Sequence, residues 1–326
     1  MAASQKKRRI FWIIAALLTL LLGPYLYSRV LSSWRVVKTY DLPRLAEVPP
    51  SQEQPASLRI GTYNIAHGRG PILDNWAGGD ADERANRLAE ISELIKAERL
   101  DVLVLNEVDF NSTWSYHVNQ AAEIAQQAGF RYRVEQRNLD FRLPYGSWQF
   151  GNAVLSKYPI VAAEVIDLPG YATWETVAAG KKRGALCTIE IPGGRRIRVA
   201  GVHLSHRSEA LRVDGIQLIR QLRDASDVPL IVAGDLNSTP PGFPRSRTDE
   251  AGHNAIATML EGDLWHTRPT APPTEEGLTY SSTEPKNVID WIVIPRQWRF
   301  LEYRAIVSEL SDHRPVVGEV LFDGGL

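Results

Sequence analysis

At 326 residues the chain is long enough for one large domain or two ordinary ones, and either can bury a substantial core. Its 44% apolar and 23% charged residues exclude wholesale disorder, and its single cysteine, Cys187, excludes an intrachain disulfide or a cysteine-clustered zinc site. The net charge of −1 is unevenly spread: residues 1–58 hold eight Lys/Arg against three Asp/Glu, leaving a body of twenty-nine basic and thirty-five acidic residues without the broad cationic field of a nonspecific duplex binder.

The chain opens on a basic tail, residues 1–9, ending in Lys6-Lys7-Arg8-Arg9. Ile10–Leu22 follows, with Thr19 as its only polar member, and the uncharged run continues through Tyr27 for eighteen residues. That is the lower edge of a membrane span, and no small-x-small cleavage site follows it. Residues 10–27 therefore read as a signal anchor rather than a removed signal peptide, with Tyr25, Tyr27 and Trp34 at the membrane interface. The positive-inside rule makes residues 1–9 cytoplasmic and the body extracytoplasmic, although Arg29, Arg35 and Lys38 on the other flank oppose it. Residues 28–57 read as a linker, extended from about 41 to 57 by Pro43, Pro49, Pro50 and Pro55.

From Leu58 to the end, strand and helix signals alternate in a body of residues 58–326. Strands are predicted at Leu58–Ile65, Val102–Leu105, Phe150–Ser156, Ala185–Ile191, Arg196–Leu204, Pro229–Ala233, 288–294, 300–307 and 315–321. Helices are predicted at 82–99, where Leu88, Ile91, Leu94 and Ile95 share a face, and at 116–128 and 208–224. Pro192-Gly193-Gly194 predicts a hairpin turn. Cys187, inside a strand signal, reads as a buried structural thiol. The order predicts an α/β domain of mixed sheets with helices outside.

Polar residues end or interrupt these apolar runs: Asn64, Glu107, Asn152, His203, Asp235 with Asn237, Asp290, and Asp312 with His313. Any one of them is an ordinary turn former or cap. Seven such segments in one body point instead to groups held at fixed geometry on rigid strand ends. An acid, an amide and an acid–imidazole couple on such edges can hold a metal and a water beside a phosphate.

The segments Thr62-Tyr63-Asn64, Asn106-Glu107, Gly234-Asp235-Leu236-Asn237 and Ser311-Asp312-His313, in this order, resemble the endonuclease/exonuclease/phosphatase superfamily from about Leu58 to Val320. The resemblance implies a four-layer α/β/β/α sandwich of two mixed sheets, a divalent metal (Mg²⁺, with Mn²⁺ as the other option) and in-line hydrolysis of a phosphate ester. It implies Glu107, Asn64 and Asp312 at the metal, a ligand set of oxygens that suits a hard ion. It implies Asp235 at the attacking water, Asn237 and His313 on the phosphate, Asp290 orienting His313, and His203 near the leaving group. Asn152 resembles a substrate-side position, and Arg183 can reach a substrate anion. His206 and Arg207 follow His203 and are expected near the cleft. Trp76, Trp114, Trp148, Trp174 and Trp265 fall in predicted loops, where one or two would form a stacking rim.

The expectation is a membrane-tethered, metal-dependent phosphohydrolase facing the extracytoplasmic side, acting on a phosphodiester or phosphomonoester. Its phosphate-ester substrate is left open among a small diester, a lipid headgroup and a nucleic acid. An extracytoplasmic nuclease and a catalytically silent binding module stand as the alternatives.

Overall fold

The computed structural model describes residues 2–32, 35–41, 55–170, 176 and 180–322. Trp34, Trp174 and the linker prolines Pro43, Pro49 and Pro50 lie outside the described residues. The chain starts with helix α1 (Ala2–Leu31), within which Gln5–Leu31 is long and apolar enough to cross a membrane.

Two sheets form the body. The first has seven strands in the order β1 (Val37–Asp41), β4 (Tyr132–Leu143), β5 (Gly146–Ser156), β3 (Val102–Asp109), β2 (Ser57–Asn64), β13 (Val316–Leu321), β12 (Arg299–Ala305). The second has six, in the order β10 (Trp265–Thr267), β11 (Asp290–Pro295), β9 (Leu230–Asp235), β8 (Arg195–His203), β7 (Arg183–Ile191), β6 (Ile160–Asp167). Each is mixed, with one parallel pair, β2–β3 and β8–β9.

Strand periodicity builds the layers, because successive side chains point to opposite faces. Val102 and Val104 pack inward with Ile231 and Ala233 of the facing sheet, and Leu103 and Leu105 point outward. Those outward residues meet Ile91 and Ile95 of helix α2 (Ala81–Ala97) and Ile124 of helix α3 (Gln120–Ala128). On the other side Leu230 and Val232 meet Ile216 and Ile219 of helix α4 (Glu209–Asp224) and Met259 of helix α5 (Ala255–Leu260). The result is the helix/sheet/sheet/helix sandwich that the resemblance implied. Cys187 is buried between the sheets.

Local chemistry sets the helix starts. Asp80 and Glu83 form a reciprocal capping box ahead of α2, Asn119 caps α3, and Ser208 caps α4. Helix α3 begins after the predicted 116 because Tyr116 and His117 hold positive φ angles in a turn.

The expectation of a linker over 28–57 is corrected in two places. Helix α1 runs on to Leu31, and Val37–Asp41 joins the sheet by pairing with β4. Strands β4, β6 and β10 were also not predicted.

Candidate active site

One cavity of about 970 Å³ opens at the end of the sandwich where β2, β3, β8 and β9 finish. Its lining includes Glu107, His203, Asp235, Asn237, Asp312 and His313. Each reaches the cavity through a particular feature of its strand.

Strand β3 shifts register against β5 between Leu105 and Val108. This bulge separates two neighbours: Asn106 is wholly buried, and Glu107, at φ +50°, turns to the cavity. Gly234, one residue before the end of β9, holds φ +143°, where a Cβ would come within 1.8 Å of the Val202 carbonyl oxygen, so only glycine fits. His203, Asp235 and Asp290 occupy one row across β8, β9 and β11, each opposite the next. The 311–313 loop is fastened to the end of β2 by Ser311 Oγ, which donates to the Asn64 carbonyl at 2.8 Å.

Asp235 Oδ2 is the centre of the row. It lies 3.5 Å from His203 Nε2 and 3.7 Å from His313 Nε2, and accepts from Asn64 Nδ2 at 3.2 Å. The other ring nitrogen of His313 is 2.9 Å from Asp290 Oδ2, and Tyr280 lies against the ring with centroids 4.7 Å apart. Asn64 also bridges to Glu107 Oε1 at 3.3 Å, while its Oδ1 accepts from Ala66 N. Asn237 N donates to Asp235 Oδ1 at 2.9 Å, and its side-chain amide donates to Leu204 O.

Burial lowers the His313 imidazolium, but the negative charges of Asp290 and Asp235 outweigh it and raise its pKa to about 10. Burial raises Asp235 to about 7 against the opposing charge of His313. His203 is driven the other way, well below the ordinary imidazole value, first by burial and then by Lys182, and stands neutral. Burial disfavours the Glu107 carboxylate, yet His67 and Arg69 nearby hold its carboxyl well below the usual range. Asp312 is raised, mainly by burial.

Sequence reasoning missed two cations here. Arg69 bridges Glu107 Oε2 at 3.2 Å and Asp312 Oδ2 at 2.8 Å. His67 stands 3.6 Å from Glu107 and is held by Asp109 at 2.9 Å, whose charge raises the ring's pKa against burial. Both follow the strand end at Asn64 in His67-Gly68-Arg69-Gly70, and charged residues alternating with glycine after a polar strand end are the signal that could have found them.

Asn152 and Arg183 do not line the cavity; Asn64 and Asp290 do not either, but reach it through Asp235 and His313. Asn152 is buried between strands, accepting from Asn106 Nδ2 at 2.8 Å and donating to Gln136 Oε1 at 2.7 Å. Arg183 turns to Asp167 at 3.1 Å on the edge of the second sheet. His206 does line the cavity, as do Lys182, Arg245, Arg247 and Lys286; Arg207 does not. Trp265 is core, Trp114 donates to Asp109 Oδ2 at 2.7 Å, and Trp76 is exposed beside it.

Two groups of side chains have metal-ligand chemistry. Glu107 and Asp312 offer carboxylate oxygens around a position where Arg69 already supplies positive charge to both, while Asn64 turns its amide nitrogen to Glu107 and its oxygen to Ala66 N. That donor set fits a hard divalent ion. Asp235, Asp290 and His313 bring their ligand atoms within 4.8 Å of one another.

Residues 61–313 match the Endonuclease/Exonuclease/phosphatase family, well over half of the chain. No curated protein matches it. Among solved structures, it is similar to an endonuclease/exonuclease/phosphatase from Beutenbergia cavernae at 21% identity, over 83% of this chain and 72% of that one, with a TM-score of 0.57. It is similar to the human Nocturnin catalytic domain with bound sulfate at 17% identity, over 89% of this chain and 100% of that one, with a TM-score of 0.59. The mannosyl-6-phosphatase Bt3783 of Bacteroides thetaiotaomicron is similar at 14% identity, over 82% of this chain and 100% of its own, with a TM-score of 0.59. At these identities the likeness is one of fold.

Proposed function

The chain belongs to the endonuclease/exonuclease/phosphatase family, whose members hydrolyse phosphate esters, and on that premise we propose that it is a membrane-tethered, metal-dependent phosphohydrolase. The observation that carries this is the convergence, in one cavity, of an all-oxygen carboxylate pair with a row of two imidazoles flanking Asp235. The reaction is attack of water on a phosphodiester or phosphomonoester, and the tether is α1, with the body on the extracytoplasmic side.

Glu107 and Asp312 would hold Mg²⁺ or Mn²⁺, with Asn64 positioning Glu107 through its amide nitrogen. Bound there, the ion supplies charge neutralisation and polarisation at the phosphoryl group. The trio Asp235, Asp290 and His313 is assigned to proton handling instead, because an imidazolium has no lone pair to offer a metal.

His313, held charged by Asp290, donates from Nε2 to a phosphoryl oxygen and stabilises the charge that grows there. Asp235, in its ionised form, orients the attacking water and takes its proton as oxygen bonds to phosphorus. The ester P–O bond breaks on the far side, where neutral His203 offers a hydrogen bond to the departing oxygen. Asn237, anchored to Asp235 and Leu204, fixes the phosphate side of the cavity.

The test is Mg²⁺-dependent hydrolysis by the full chain of bis-p-nitrophenyl phosphate, p-nitrophenyl phosphate, plasmid DNA, RNA and sphingomyelin, with Asp235→Ala and His313→Ala alongside. Metal-dependent turnover lost in both variants supports the reading. Turnover indifferent to both sinks the site assignment, and metal binding without any turnover favours a silent binding module. A nuclease reading draws on Lys182, Arg245, Arg247 and Lys286 in the cavity lining, and the DNA and RNA arms decide it.

A further inference from the structure

Between the apolar helix and the cavity mouth, neighbouring segments fastened to one another carry exposed aromatic and aliphatic side chains that the chemistry above does not use. They begin where α1 meets the body. Ser28, in the last turn of α1, is buried, and its Oγ accepts from Arg142 N at 3.0 Å near the end of β4. The β4–β5 hairpin then turns through Tyr145, which is 80% exposed.

This hairpin is fastened to residues 111–117. Ser147 N donates to Thr113 Oγ1 at 2.7 Å, and Ser147 Oγ donates to Asn111 O at 2.6 Å. That segment carries Trp114 and the exposed Tyr116, whose hydroxyl donates to Gly79 O at 3.3 Å. Trp114 meets Trp76 edge-on, with ring centroids 6.1 Å apart. Trp76 shares its loop with Ile72 and Leu73, and Leu73, 77% exposed, is also part of the cavity lining.

Single exposed apolar residues need no explanation, but a belt of them on adjoining segments, rich in tyrosine and tryptophan, does. Its position supplies one. Gln5–Leu31 is 27 residues long, so at roughly 1.5 Å per residue it exceeds the roughly 30 Å hydrocarbon thickness of a bilayer. The helix turn that touches the hairpin therefore stands at headgroup level, where tyrosine and tryptophan side chains favour lying.

We propose that the belt formed by Tyr145, Tyr116, Trp76, Ile72 and Leu73 docks on the bilayer that α1 enters, so that the cavity opens onto the lipid surface and its phosphate ester is carried by a membrane lipid. This rests on the tethered phosphohydrolase reading and narrows its substrate class.

The experiment uses the full chain in dioleoylphosphatidylcholine vesicles. Cys187 is buried, so an engineered surface cysteine can be labelled selectively with nitrobenzoxadiazole. Labels at Ile72→Cys and Tyr145→Cys should shift to the blue and be quenched by brominated acyl chains. A label at Leu301→Cys, on β12 at the opposite edge of the first sheet, should do neither. Labels at 72 and 145 that remain in water overturn the docking and assign the belt to some other partner.

A second arm compares hexadecyl p-nitrophenyl phosphate, which partitions into the bilayer, with ethyl p-nitrophenyl phosphate, which stays in water. The combined variant Ile72→Ser, Trp76→Ser and Tyr145→Ser should lose about tenfold or more on the hexadecyl ester and stay within about twofold on the ethyl ester. Equal change on the two esters overturns the inference. Absence of turnover of both esters by the unaltered chain removes the catalytic reading, and the labels then still decide the docking.

Discussion

Glu107 and Asp312 are bridged by a guanidinium, whereas Asp235 is flanked by imidazoles. Arg69 ties both carboxylates at once, so its half of the cavity floor suits holding a ligand. His313 can gain or lose its proton, and beside Asp235 it forms the half that suits moving one. Asn64 joins the two, with its amide on Glu107 and on Asp235. A holding half and a proton-moving half are thus kept a single side chain apart.

The separation breaks most visibly at Asp235. Replacement by alanine should lower kcat on the order of 10²–10⁴ and leave KM and Mg²⁺ affinity, read by calorimetry, little changed. If metal affinity collapses with turnover, the halves are one unit.

Asp290→Asn sharpens the comparison by removing the group that keeps His313 charged. The raised His313 pKa implies a rate that falls as pH rises through about 10, and the raised Asp235 pKa a rate that also falls as pH drops through about 7. The His313 shift contributes to stability in full below the ordinary imidazole pKa, and that contribution is lost as pH rises through the folded value. In the variant the alkaline limb should move down toward the ordinary imidazole range, with roughly a hundredfold loss of rate two pH units above it. An unmoved limb would assign the titration to another group.

Arg69→Met tests the holding half. Glu107 and Asp312 would face each other without their bridging guanidinium, costing about 3 kcal/mol of stability without a divalent ion. Added Mg²⁺ should bind more tightly than to the parent and restore the melting temperature, which thermal denaturation with and without the ion reads directly. Arg183→Ala marks the floor of the scale, because its partner Asp167 lies at a sheet edge. Turnover and stability should change by no more than about 0.5 kcal/mol.

Much of this floor is legible in the chain because each strand ends where an apolar run meets a polar residue, as in Val104-Leu105-Asn106-Glu107 and Val202-His203. Strand β4 was not legible, since its buried positions include Arg133, Glu135 and Arg137, where both arginines pair with Glu135 at 2.9–3.0 Å and erase the apolar alternation. Strand β6 lies at a sheet edge with five of its eight positions exposed, and β1 sits just ahead of a proline-rich stretch. Arg69 and His67 come from a loop, where no periodicity announces them. Asn152 looked functional for the reason it is structural: a polar residue in an apolar strand must have partners, and here those partners are other strands.

The bulge in β3 assigns opposite duties to consecutive residues. Asn106 turns inward and stitches the sheets together, its amide donating to Val202 O at 3.1 Å and its Oδ1 accepting from Asp235 N at 2.9 Å. Glu107 turns outward to the cavity. Counting is therefore as binding as chemistry at this point. A one-residue deletion in 105–108 would undo this division: taken up from one side it carries Glu107 into the seam between the sheets, and from the other it turns Asn106 to the cavity in place of the carboxylate.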